Sequence, residues 1–226
     1  MSIERVNLLA TSNKKINGCI KVPGDKSISH RAIIISSIAQ GRTKINGYLD
    51  ATDVNATINA CRAIGATIEE SKDTLIIDGN DLERHHGDAI DLNFGNSGTS
   101  MRLMMGILSA QKFSSVLIGD ESLNQRPMDR VSNPLLRMNA DIKTSDGKPP
   151  VYIDPVPSIK CIDHMVDIAS AQIKSSILLA GLYGENAFTI TTPQSRDHTE
   201  IMLSQFGCNI SVEPDSIKME PGNPFH

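Results

Sequence analysis

No run of about eighteen consecutive apolar residues occurs in this sequence, so nothing in it reads as a membrane-crossing helix. The opening residues MSIERVNLLATSNKK lack the apolar core and small-residue cleavage site of a secretory leader, and the reading is a cytoplasmic protein. Cysteine is sparse: Cys19, Cys61, Cys161 and Cys208 lie far apart with no CxxC pair. His164 falls near Cys161, but no second ligand pair accompanies them, so buried free thiols are expected and no metal. No glycine-rich turn ends in the GK[ST] of a nucleotide-binding loop, and no residue context suggests a covalent nucleophile. An excess of positive charge is missing too. The net charge of −4 argues against a nucleic-acid surface, so basic residues gathered in motifs need a local reason. What remains, 226 residues that are 39% apolar and 21% charged, suits a globular protein with one large core or two small ones.

The chain repeats itself at a period of about seventy residues. Three segments, ACRAIGATIE (60–69), PLLRMNADIK (134–143) and IMLSQFGCNIS (201–211), each close a helix with Gly65, Asn139 or Gly207 and open a strand. These are the residues that accept a left-handed helix cap. Upstream of each, one order recurs: a Ser-rich turn with a basic residue, an apolar helix, a strand, a polar turn and the capped helix. The turns are DKSISHR, GNSGTSMR and SAQIKS. The helices AIIISSIA (32–39), LMMGILSA (103–110) and SILLAGLY (176–183) are apolar nearly all round, which for a helix means burial on every side. TKINGY, SSVLIGD and FTITTP read as the strands that follow. Second helices are expected near Asp53, Met128 and Asp197, with Asp and Thr as caps or first-turn acids, and a strand pair such as EESKDTLIIDG closes each unit.

The fold class expected is therefore mixed α/β. Three βαβαββ units, about 21–84, 85–153 and 154–226, surround buried parallel helices with sheets on the outside. Residues 1–20 fall outside the repeat, with one possible strand in INGCIKV. DGKPPVYIDPVPS and the tail EPDSIKMEPGNPFH read as linkers.

Equivalent turns in a repeat share one side of a domain, so three helix N-termini could face a common point. Helix N-termini bind anions, and Lys26, Arg31, Arg102 and Lys174 lie near the turns. Each turn also has a plain structural reading. Ser27 and Ser29 serve as ordinary caps, SAQIKSS as a helix start, and Arg126 and Arg130 as partners of Asp120 and Glu121. In FGNSGTS the two glycines flanking Asn96 and Ser97 imply a close backbone approach. His30 and His198 read as hydrogen-bonding supports, and His85 and His86 as exposed.

Taken in order, PGDKSISHRA (23–32), FGNSGTSMRL (94–103), SLNQRPMDRVSNPL (122–135), SAQIKSSILLAGL (170–182) and SRDHTEIML (195–203) closely resemble the EPSP synthase family. That resemblance implies one domain of a two-domain enolpyruvyl transferase fold. The whole enzyme moves the carboxyvinyl group of phosphoenolpyruvate onto the 5-hydroxyl of shikimate 3-phosphate, with no cofactor, on the route to chorismate and aromatic amino acids. By motif, Lys26 touches both substrates and is the catalytic residue carried by this chain. Ser27, Arg31, Ser170, Ala171, Gln172 and Arg196 hold shikimate 3-phosphate, while Asn96, Gly98, Thr99, Arg126 and Gln172 hold phosphoenolpyruvate, where the inhibitor glyphosate competes. The resemblance also implies that residues 1–20 pack with a missing C-terminal half. That half supplies the acidic general base and further clamps, so the chain alone is expected to be inactive. Two other readings stand beside this one: a non-catalytic anion-binding module, and a relative of the transferase acting on UDP-N-acetylglucosamine, in which a Lys-Asn pair is expected where Lys26-Ser27 stands.

Overall fold

A computed structural model of the chain describes residues 17–79 and 89–221. The first unit carries helix α1 (Lys26–Ile38), strand β1 (Gly41–Asn46), helix α2 (Thr52–Ala63) and the strands β2 (Thr67–Ser71) and β3 (Thr74–Gly79). The second runs β4 (Ile90–Asn93), α3 (Gly98–Leu108), β5 (Ser115–Ile118), a single 3-10 turn (Leu123–Gln125), α4 (Asp129–Arg137), β6 (Asp141–Ser145) and β7 (Lys148–Asp154). In the third, β8 (His164–Met165), α5 (Ala171–Gly181), β9 (Phe188–Thr191), α6 (His198–Gln205), β10 (Asn209–Glu213) and β11 (Ser216–Glu220) follow in the same order.

Each unit makes its own sheet. The orders are β1-β3-β2, β4-β5-β7-β6 and β8-β9-β11-β10, the same path three times with one position unfilled in the first among the described residues. β4 and β8 run parallel to the strand beside them, and every other pairing is antiparallel. Gly65, Asn139 and Gly207 all have positive φ at the ends of the second helices, and each cap is followed at once by a strand. The turn residue thus sets the period of the fold.

The all-apolar helices are central. Ile33, Ile34, Met104, Met105, Ile107, Ile177 and Leu178 are fully buried. Alternating strand residues such as Leu75, Ile77, Val151, Ile153, Ile190, Ile217 and Met219 cover them from the sheets, which is one continuous core. α3 and α5 press closest. A Cβ at Gly106 would run into the backbone carbonyl of Ser176, and the Ser176 hydroxyl donates to the Arg102 carbonyl at 2.7 Å.

Several local expectations fail for physical reasons. DGKPPVYIDPVPS is no linker: β7 crosses the middle of the second sheet. Its two prolines fall between Ser145↔Lys148 and Thr144↔Val151, where the register shifts, so neither has to supply a ladder hydrogen bond. The tail through Glu220 is likewise strand, β10 and β11, and residues 222–226 lie outside the described part. Residues 17–22 of INGCIKV form no strand, leaving Ile20 and Val22 exposed. Helix α1 is capped by Asp25, whose carboxylate accepts from Ile28 N at 2.8 Å, and not by Ser27 or Ser29, which lie inside the helix. The second helices have first-turn acids, Asp53, Asp129 and Glu200, but no side-chain cap bond. Cys61 is buried as expected, whereas Cys19 is exposed.

Candidate functional site

The first turns of α1, α3 and α5 meet at one cleft. It encloses about 320 Å³ and is lined by Asp25, Lys26, Ser27, Arg31, Thr99, Ala171, Gln172 and Arg196. Residues 145 apart in the chain are brought together because the repeat places equivalent helix starts on one side of the core. Unpaired backbone N–H groups at these three N-termini add partial positive charge to the lysine and arginines already there.

Arg31 is the fixed centre. Its residue is only 2% exposed, and each of its three guanidinium nitrogens has a partner within the chain. Nε donates to Thr199 Oγ1 at 2.6 Å, Nη1 to Ser27 Oγ at 2.7 Å, and Nη2 to Ser175 Oγ at 2.9 Å. Burial pulls its pKa down to about 10 while the Glu200 carboxylate opposes the fall, so it stays cationic at neutral pH. Ser27 is therefore not a helix cap but an arginine partner, and His198 Nδ1 lies 3.2 Å from the same hydroxyl. Lys26 is the more exposed counterpart, half open to solvent, with Nζ 3.0 Å from Asp53 on α2.

His30 sits directly behind. Its Nδ1 lies 2.6 Å from Thr57 Oγ1, and Thr57 donates to Ser100 Oγ at 2.7 Å, a buried chain joining α1, α2 and α3. Burial pushes the imidazole down to about 4, against the opposing pull of Asp53 and with smaller pushes from Lys26 and Arg31, so the ring is neutral at pH 7. His30 and His198 are thus supports, as the sequence suggested; His85 and His86 lie outside the described residues.

A second cluster adjoins the cleft. Arg126 donates to the Asn96 side chain and to Ser122 Oγ, and Asn96 Nδ2 donates to Asp120 at 2.8 Å. Arg126 therefore binds the FGNSGT loop itself and does not pair directly with Asp120 or Glu121. Gly98 lies beneath two guanidinium groups, since a Cβ there would stand 3.2 Å from Nη1 of both Arg102 and Arg126. Gln172 bridges the two clusters: its Oε1 accepts from Arg102 at 3.0 Å and its Nε2 donates to Thr99 Oγ1 at 3.0 Å. Ser170 caps α5 by accepting from Ile173 N, one residue before the cleft lining begins.

The sequence reading missed the residues that aim the charges: Thr199 and Ser175 for Arg31, Asp53 for Lys26, and Thr57 behind His30. Ser175 carried a usable signal, since it follows Ala171 by four residues and so lies on the same helix face. Thr199 carried none, because only the tertiary fold brings α6 against α1.

A buried arginine, a half-exposed lysine, short hydroxyls and three helix starts around an open cleft are groups that suit a small anion, on a three-repeat α/β domain. Comparison with known proteins gives the family. The family model for EPSP synthase (3-phosphoshikimate 1-carboxyvinyltransferase) matches residues 10–225, and the chain belongs to that family. It is 47% identical over 206 residues to the 3-phosphoshikimate 1-carboxyvinyltransferase of Vesicomyosocius okutanii, covering 91% of this chain and 47% of that relative. Against the protein of the same name from Hydrogenovibrio crunogenus, identity is 49% over 201 residues, 88% of this chain and 45% of the relative. A solved EPSP synthase from Acinetobacter baumannii superposes with a TM-score of 0.87 at 45% identity, covering 92% of this chain and 48% of that one. The chain thus spans about half the length of the curated relatives it matches.

Proposed function

We propose that this chain is the shikimate 3-phosphate-binding half of a 3-phosphoshikimate 1-carboxyvinyltransferase. The observation that carries the reading is the convergence of Lys26, Ser27, Arg31, Ala171, Gln172 and Arg196 on one cleft at three helix N-termini. Arg31, Arg196 and Ser27 suit a phosphate dianion, which favours guanidinium forks, hydroxyls and backbone N–H groups. Ser170 brings its helix start to the same anion. Lys26 reaches into the cleft from a half-exposed position and serves both substrates, as the catalytic cation of this half. Phosphoenolpyruvate takes the adjoining cluster of Asn96, Gly98, Thr99 and Arg126, with Gln172 between the two substrates. Glyphosate competes there.

The reaction places the carboxyvinyl group on the 5-hydroxyl of shikimate 3-phosphate and releases phosphate. It needs an acid and a base for proton transfer at the methylene and the hydroxyl, together with strong anion clamps. The second domain of the family fold supplies the carboxylates, and the segment around the exposed Ile20 packs with it; residues 1–16 lie outside the described residues. On its own this chain binds the anion and does not turn over. No helix among the described residues is long and apolar enough to cross a membrane, and the cytoplasm is the compartment proposed.

The test is a thermal-shift comparison, because a ligand that binds only the folded chain raises its melting temperature. Shikimate 3-phosphate is expected to stabilise the chain while UDP-N-acetylglucosamine leaves it unchanged, with no phosphate released when phosphoenolpyruvate is added. Stabilisation by the sugar nucleotide instead would assign the chain to the sister reaction.

A further inference from the structure

Beside α5 and α6, a second cavity of about 350 Å³, with Ser195 and Asp197 in its lining on either side of the cleft residue Arg196, exposes part of an ion pair that is absent from the cleft lining. Lys174 and Glu200 pair there with side chains 4% and 1% exposed. Apart from Lys174, neither carboxylate oxygen of Glu200 has a hydrogen-bond partner among the described residues.

The pair lies next in sequence to the groups that hold Arg31. Lys174 precedes Ser175 on α5, and Glu200 follows Thr199 on α6. Ser175 Oγ and Thr199 Oγ1 are 2.7 Å apart, and both contact the Arg31 guanidinium. Two rungs therefore connect α5 to α6, one neutral and set against Arg31, one ionic and lining the second cavity. A carboxylate this deeply buried has no purpose as a surface charge, and one unpaired partner would be strongly disfavoured.

We propose that Glu200 is a positioning residue for the anion site: its ion pair with Lys174 locks α6 against α5 so that Thr199 Oγ1 meets Arg31 Nε. Glu200 touches no ligand and acts through Thr199. Its charge reaches Arg31 as well, since it is the leading group that opposes the effect of burial on that guanidinium. The inference rests on the substrate reading only for its ligand arm.

The direct readout is solvent exchange of the Arg31 Nε proton by NMR, assigned by its disappearance in Arg31→Lys. Glu200→Gln is expected to speed that exchange by about tenfold or more, and Lys174→Met to do the same. In a Thr199→Val background Glu200→Gln is expected to add less than about twofold, because residues that act through one contact are not additive. The double variant Lys174→Met/Glu200→Met, which replaces the pair with apolar chains of similar length, is expected to return exchange to within about twofold of wild type. Shikimate 3-phosphate affinity should follow the same order. Unchanged exchange in folded Glu200→Gln, or an undiminished effect of it in the Thr199→Val background, overturns the proposal. Should Glu200→Gln fail to fold, the double variant decides: fast exchange in the folded double overturns it, and restored exchange supports it. A wild-type chain that shows the exchange order but binds no shikimate 3-phosphate keeps the positioning role and removes the substrate reading.

Discussion

Arg31 donates through Nε to Thr199 Oγ1 at 2.6 Å, joining the first repeat to the third across 168 positions of sequence. This bond makes the setting of Arg31 a property of the three-repeat domain and not of the DKSISHR turn. Arg31 is also bound to Ser27 and Ser175, so replacing it removes charge-assisted bonds to three hydroxyls, which keep one another, the Ala171 carbonyl and His198 as partners. Arg31→Ala is expected to cost about 2–3 kcal/mol in urea unfolding, the range for charge-assisted hydrogen bonds, and to abolish anion binding.

Lys26 should behave in the opposite way. Its pair with Asp53 is half exposed and held at 3.0 Å, and such pairs contribute little to stability. Lys26→Ala is expected to change unfolding free energy by less than about 0.5 kcal/mol while weakening shikimate 3-phosphate at least about tenfold. A large stability loss would recast Lys26 as a structural residue.

Gly106 tests the packing of the core helices. Its missing side chain lets α3 meet the Ser176 backbone, and a methyl group there would displace a backbone atom and not a flexible tip. Gly106→Ala is expected to destabilise by about 2–3 kcal/mol, as overpacking does. Gly98→Ala is the contrast. Its Cβ meets the flexible ends of Arg102 and Arg126 at 3.2 Å and Leu123 Cδ1 at an ordinary 3.4 Å, so the fold should tolerate it. Phosphoenolpyruvate and glyphosate should weaken, however, because both guanidinium groups must shift.

Acid should destabilise the chain through its buried imidazoles. In the unfolded chain His30 titrates near 6.5, whereas burial holds it down to about 4 in the fold, and His164 behaves alike, with Arg137 adding to the effect. Between those values the unfolded chain binds more protons, so this contribution is complete above about pH 6.5 and is lost as pH falls toward 4. His30→Asn is expected to flatten that part of the stability curve. An identical slope in the variant would exclude His30 as a source.

The periodic part of the fold was legible because its causes are local. Gly65, Asn139 and Gly207 mark left-handed caps, and runs such as SILLAGLY have no polar face to turn outward. Position-specific exceptions misled the reading: Pro149 and Pro150 looked like a linker because their place at a register shift is set by the partner strand β6. In the site, the charged residues were readable as motif members. The neutral groups that aim them were not, since the partnership of Thr57 with His30, or of Thr199 with Arg31, exists only once helices pack.

The central claim is that the cleft at the three helix starts recognises shikimate 3-phosphate, and titration calorimetry on the folded chain tests it most directly. The expected result is saturable one-to-one binding that disappears in Lys26→Ala/Arg31→Ala. Absence of binding by a chain with a normal cooperative melt, or equal binding by the double variant, would contradict it.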